Sequence, residues 1–165
     1  MKRPDYTNKL QDLNVLIRSS LKNCGIFNKT EHISLQKKLT PNLHKVRVNA
    51  DDTSLVIVNL LTNALDSMPN GGKLLIESRH CKEHDSCVQI SISDTGYGIK
   101  KNKMDKIFLP FFTTKGEGKD MGLGLTISKR IIEDYGGKIN VASTQGRGTT
   151  ITLCLPAAFK SANEE

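Results

Sequence analysis

Tryptophan is absent from the chain, and its 165 residues include only three tyrosines and five phenylalanines. A stacking platform for single-stranded nucleic acid is poorly supported by so few aromatics. No apolar run approaches the length of a membrane span. The opening MKRPDYTNKL is basic but has no apolar stretch behind it, so it does not read as a signal peptide. The four cysteines, Cys24, Cys81, Cys87 and Cys154, include no C-x-x-C pair and suggest thiols kept reduced in a cytoplasm. Nucleotide fingerprints are missing too. The P-loop pattern is not matched, and neither Gly116 nor Gly122 begins a complete G-x-G-x-x-G.

What is present points to one soluble domain with a real core: 37% apolar residues, 25% charged, and a net charge of +7 that suits an anionic ligand or partner. Helix-period apolar positions run over 10–23 and end at Cys24–Gly25. HISLQKKL and KVRVN alternate as strands around the turn TPN. A helix is predicted from about Asp52 to Met68, stopped by PNGG. Strands follow at 73–79 and 87–93, then a short helix in KKNKMDKIF. Residues 123–135 form a helix closed by Gly136–Gly137. KINVAST and TTITLCLP are the last strands, joined by QGRG. This mixture, without a strict βαβ repeat, predicts an α+β sandwich with helices on one face of a mostly antiparallel sheet. Residues 1–9 read as a linker, 10–157 as the domain and 158–165 as a frayed tail.

Several stretches carry chemistry. On the helix DDTSLVIVNLLTNALDSM, Ile57, Val58, Leu60, Leu61, Ala64, Leu65 and Met68 cover most of the circumference. Asp52, Asn59, Thr62, Asn63 and Asp66 form the remaining stripe. Asparagines on a mostly buried helix need a polar answer, and an asparagine oxygen can ligate Mg²⁺; a solvent-facing stripe is the plainer alternative. In CVQISISDTGYGI, Val88, Ile90 and Ile92 alternate toward the core, and Asp94 shares their parity. A carboxylate there needs a donor, for which an exocyclic amine such as that of adenine is suited. Asp-Thr-Gly is also the aspartic-protease signature, but that chemistry needs two aspartates and one copy occurs here. In IFLPFFTTK the aromatics read as a hydrophobic anchor, and Lys115 as a point charge for phosphate. RHCKEHDSC offers zinc-type ligands, His80, Cys81, His84 and Cys87, but their spacing matches no common zinc pattern and reads as a polar hairpin tip.

In their order, NLLTNALDSM, DTGYGI, PFFTTK, GLGLTISKRIIEDYGG and GRGTTITLCLP closely resemble the catalytic ATP-binding domain of two-component sensor histidine kinases. These belong to the GHKL superfamily, and the variants look most like the nitrogen-regulation branch. The resemblance spans about residues 10–157. It implies the Bergerat fold: a two-layer α/β sandwich, about five mixed strands on three helices, with a mobile ATP lid over Gly116–Met121. It implies ATP and Mg²⁺ as cofactors, with Asn63 ligating Mg²⁺, Asn59 lining the same site and Asp66 in the same box. Asp94 would accept the adenine amino group, Gly96 and Gly98 would let the loop close beneath the base, and Ile99 belongs to that box. Thr149 would lie beside Asp94. Phe108, Thr114 and Lys115 belong to the anchor, with Lys115 reaching the phosphates. Gly122, Leu123, Gly124 and Leu125 would open a helix whose amides face the phosphates.

The chain departs from the family in two places. The lysine that many members carry three residues after the Mg²⁺ asparagine is Asp66 here, and the anchor has no arginine, so phosphate charge falls to Lys115, Lys119 or other cations. Hydrolytic relatives have a glutamate four residues before that asparagine. An amide, Asn59, stands here and cannot take a proton from water, so a kinase half-site with slow hydrolysis is expected. None of His32, His44, His80 and His84 sits in the helical His-acidic motif that accepts phosphate. The resemblance therefore implies that the acceptor histidine lies on a separate dimerisation domain, with a response regulator downstream. The partners do not include nucleic acid or membrane, and the setting is cytoplasmic, though a parent protein could be membrane-anchored. The alternative is an ATP-binding regulatory module such as an anti-sigma-factor-like serine kinase.

Overall fold

The computed structural model describes residues 8–25, 32–81, 86–115 and 121–158. The elements run β1 (Lys9–Gln11), α1 (Leu13–Asn23), β2 (Ile33–Leu39), β3 (Val46–Val48), α2 (Ala50–Asp66), β4 (Gly72–His80), β5 (Cys87–Asp94), a 3-10 helix (Lys101–Lys106), α3 (Gly124–Asp134), β6 (Lys138–Thr144) and β7 (Gly148–Pro156). The main sheet has the order β2-β4-β5-β7-β6, and β1 and β3 form a separate two-stranded sheet. Only β2 with β4 is parallel within the main sheet; the other neighbours are antiparallel. This is the α+β sandwich expected. Two differences are local. The first predicted helix starts at Leu13, because Lys9–Gln11 pair with β3 instead. α2 begins earlier than Asp52, because the Asn49 side chain accepts from the Asp51 and Asp52 amides at 2.9 and 3.0 Å.

One core fills the space between the helices and one face of the sheet. Ile57, Leu60 and Leu61 of α2 and Ile132 of α3 are buried with Ile76, Ile90 and Leu153 of the strands. The alternation of β5 is as expected: Val88, Ile90 and Ile92 are buried, and the residues between them face the other way. The opposite face carries Glu77, Ser91, Thr152 and Asn140 in one cross-strand row, with no helix on it among the described residues.

At the far end of the β4–β5 hairpin, the Cys81 amide donates to the Cys87 carbonyl at 3.0 Å. This register sets the two Cα atoms 5.4 Å apart, and a disulfide joins the side chains, whereas the sequence reads as reduced thiols. His84 lies outside the described residues, as do Gly116 to Asp120 of the expected lid, including Lys119. No helix among the described residues is long and apolar enough to cross a membrane.

Candidate functional site

A solvent-open cleft lies between α2, the ends of β5 and β7, and the chain from Tyr97 to Leu125. Leu60, Ala64, Ile92, Ile107 and Ile151 make one end apolar. Asp94 is the polar group set among them. It arrives there because β5 ends on it with the inward parity of Ile92.

The bonds to Asp94 are one-sided. Its Oδ1 accepts from the Gly96 amide at 2.8 Å, the Ser67 hydroxyl at 3.0 Å and the Thr149 amide at 3.3 Å. Among the described residues no donor meets Oδ2. Burial pushes the carboxyl above its ordinary pKa, and the bonds from Gly96, Ser67 and Thr149 pull it partly back. A carboxylate with one oxygen satisfied and the other turned to an apolar cleft is prepared to accept one N–H from a ligand.

Close packing holds that geometry. A Cβ on Gly96 would run into the Ser67 hydroxyl, so only glycine lets the two segments meet. Gly98, at φ +66°, would set a Cβ against the Thr144 carbonyl. Thr149 is buried, and its hydroxyl pairs with that of Ser143 at 2.8 Å.

At the cleft's other end, Lys115 Nζ stands 2.6 Å from Asp66 Oδ2 and 3.4 Å from Asn63 Oδ1. The ammonium therefore sits where Asn63 presents its amide oxygen. Nearby, α3 starts at Gly124 with no side chain capping its N-terminus and no acidic residue in its first turn. Its leading amides and positive dipole end are answered by no side-chain cap.

Of the residues expected from the sequence, the cleft brings together Asn63, Asp94, Gly98, Ile99, Thr114, Lys115, Gly122, Gly124, Leu125 and Thr149. Five stand outside its lining. Asn59 turns toward α3, its Nδ2 making long bonds to the Gly124 carbonyl (3.4 Å) and the Ser128 hydroxyl (3.5 Å). It links the two helices beside Gly124, which lines the cleft. Asp66 holds Lys115 from outside, and Gly96 lies beneath Asp94. Phe108 packs on the core, with Lys129 5.0 Å over its ring. Leu123 precedes α3. Sequence reasoning missed Ser67, Tyr97 and the apolar wall. Ser67 follows directly after Asp66 at the α2 C-terminus, and its link to Asp94 exists only once α2 packs on β5.

Comparison with known proteins gives the family of the chain. Residues 48–158 match the family described as histidine kinase-, DNA gyrase B-, and HSP90-like ATPase. The chain is 37% identical over 145 residues to the sensor histidine kinase ZraS of Escherichia coli K12, covering 88% of this chain and 30% of that protein. It is 40% identical over 161 residues to the histidine-protein kinase AtoS of the same strain, covering 93% of this chain and 25% of that protein. It thus spans less than a third of these relatives. The nucleotide-free catalytic domain of histidine kinase ThkA superposes with a TM-score of 0.77 at 30% identity, covering 91% of this chain and 95% of that one. The apolar cleft with its half-satisfied aspartate therefore sits in a chain that belongs to the histidine kinase-, DNA gyrase B- and HSP90-like ATPase family, among homologues that are sensor histidine kinases.

Proposed function

We propose that this domain binds Mg²⁺-ATP in the cleft and donates the γ-phosphoryl group to a histidine on a separate dimerisation domain, ahead of a response regulator. The observation that carries this reading is the free Oδ2 of Asp94 in an apolar cleft, opposite an asparagine oxygen that already faces a cation. Adenine's amino group suits Oδ2, and the apolar wall suits the flat base.

The donor set fits Mg²⁺. Asn63 offers a neutral oxygen, and the Lys115 ammonium stands in for a cation beside it. When bound, the metal would neutralise phosphate charge. The rest falls to the chain. Asn63 and Lys115 hold the phosphate end, the uncapped start of α3 offers amides, and Asn59 braces α2 against α3. Asn59 carries no basic group and cannot activate water, which fits slow hydrolysis and an acceptor supplied from outside. Titration of a non-hydrolysable ATP analogue with and without Mg²⁺ tests binding. Acid-labile phosphate on an added phosphoacceptor helix pair tests transfer. Absence of analogue binding would remove the proposal.

Lys115 gives a split outcome. Its ion pair with Asp66 is half-exposed and contributes at most about 1 kcal/mol to folding. Replacing Lys115 with Ala is expected to leave the melting temperature nearly unchanged and to weaken analogue binding roughly tenfold, as one charge-assisted contact is lost. Calorimetric titration beside thermal denaturation reads both quantities, and unchanged affinity would exclude Lys115 from the phosphate end.

Ser67 sets a pH dependence. Asp94 must be ionised to accept the amine, and its folded pKa lies above the ordinary value. The native apo chain thus binds the proton more tightly than the unfolded one. This penalty on folding is absent at pH below the ordinary carboxylate value and fully present above the raised folded pKa. Analogue binding runs the other way and is lost as pH falls through the raised pKa. Ser67→Ala removes one bond to the carboxylate, so the binding midpoint is expected to move to higher pH. Affinity measured across an acidic pH series checks this, and an unmoved midpoint would contradict it.

A further inference from the structure

Three cysteines meet on the face of the sheet opposite the core. Cys81 and Cys87 flank the β4–β5 hairpin, and β7 brings Cys154 beside them, opposite Gln89 in the β5–β7 register. Cys154 Sγ lies 3.0 Å from Cys87 Sγ and 3.3 Å from Cys81 Sγ. All three sulfurs fall within 4.8 Å of one another and are half-buried.

Ordinary packing does not account for this. A buried cysteine behaves as a small apolar side chain, but this face of the sheet is mostly polar. The cross-strand row next to the cluster runs through Arg79, Gln89, Cys154 and Lys138. Nor does the arrangement suit thiol–disulfide exchange. Attack on Cys87 in line would place Cys81 Sγ behind it, about 2 Å farther from Cys154. Instead Cys154 is almost equidistant from both sulfurs. Three sulfurs held within mutual reach by the sheet are placed to share one ligand once the disulfide is open.

We propose that Cys81, Cys87 and Cys154, once reduced, form a three-thiolate site for a soft, thiophilic d¹⁰ cation, Zn²⁺ or Cu⁺. Three ligands from two strands and a strand end, at mutual reach, match what such ions take. With metal–sulfur bonds of about 2.3 Å, neighbouring sulfurs stand about 3.8 Å apart in a tetrahedral site. Opening the disulfide frees the Cys81 and Cys87 side chains to rotate toward that spacing. Zn²⁺ would keep one position for water, whereas Cu⁺ accepts three sulfurs alone. Lys138, opposite Cys154 on β6, offsets the net negative charge of the complex.

The steps balance. A dithiol reduces the Cys81–Cys87 disulfide, closing to its own disulfide as two protons pass to the cysteine sulfurs. The metal then binds three sulfurs, and three protons leave to solvent. From the sequence, the zinc-type ligands His80, Cys81, His84 and Cys87 read as no more than a polar hairpin tip. His80 is engaged elsewhere, its Nε2 accepting from the His44 amide at 3.2 Å. The third ligand comes instead from Cys154, on another strand and 67 residues beyond Cys87.

The site is far from the nucleotide cleft. Cys87 and Asp94 stand at opposite ends of β5, about 24 Å apart at strand rise. Metal binding is therefore separable from ATP binding, and either proposal can fail alone.

The experiment uses the full chain, reduced with a phosphine and desalted anaerobically without chelator. Zn²⁺ and Cu⁺ are titrated separately against competing chelators, with Co²⁺ as a spectroscopic probe of thiolate ligation. The expected result is one equivalent per chain, with a thiolate-to-Co²⁺ charge-transfer band. Cys154→Ser is expected to weaken binding at least tenfold, while Cys24→Ser leaves it unchanged, and far-UV circular dichroism checks that both variants fold. The preferred ion of the two identifies the metal. No stoichiometric binding of either, or binding indifferent to Cys154→Ser, overturns the proposal.

Discussion

Asp94→Asn is expected to weaken ATP-analogue binding by roughly 30- to 100-fold, or about 2–3 kcal/mol, with the fold retained. Three donors, the Gly96 and Thr149 amides and the Ser67 hydroxyl, converge on Oδ1. They hold the asparagine oxygen in that place and leave its NH₂ group at the Oδ2 position. There it meets the adenine amine donor to donor. The same orientation creates a site for a carbonyl. An inosine nucleotide, which carries oxygen where adenine carries the amine, should gain affinity in the variant relative to wild type. A site built to hydrogen-bond one group rejects its opposite strongly, so the reversal is a more specific readout than lost affinity. Titration of both analogues against both proteins measures it. Equal losses for the two bases would remove Asp94 from base recognition.

Gly148→Ala is expected to cost about 3–5 kcal/mol of stability, since backbone strain and overpacking add. Gly148 has φ +115°, and a Cβ there would enter the Asp94 carbonyl, with its carbon at 2.8 Å and Thr95 Cα at 2.9 Å. The obstacle is backbone within the β5–β7 ladder, so it cannot swing aside. For a chain of this size the melting temperature should fall by about 10 °C. The control lies two residues away. Gly146, at φ +79°, has nothing within 4 Å of the position a methyl would take, so Gly146→Ala carries only the left-handed backbone cost of about 1 kcal/mol. Thermal denaturation of the two variants separates steric necessity from turn preference. Similar shifts would contradict the contact with Asp94.

Both glycines sit in the same QGRG turn, and from the sequence they are equivalent. That shows where sequence reading stops. Turn residues, apolar alternation and helix periods are local, so β5, its inward Asp94 and the breaks at Gly71–Gly72 and Gly136–Gly137 were legible. Even the α+β class followed, because alternation and periodicity decide which face of each element must be buried. The polar stripe of α2 was legible as well, but not its division of labour. Asn59 and Asn63 are one turn apart on the same helix. One faces α3 and the other faces the cleft, because α3 crosses α2 beside Asn59.

By itself, then, the sequence determined the elements, the layer architecture and an aspartate at a strand end beside glycines. Only the tertiary structure decided which partners those residues meet. It set Ser67 against Asp94, seated Lys115 between Asp66 and Asn63, and carried Cys154 to the Cys81–Cys87 hairpin. The physical reason is range. Backbone propensity and burial pattern act over a few residues. Hydrogen bonds, ion pairs and sulfur clusters join residues that only the pairing of strands and the packing of helices bring together.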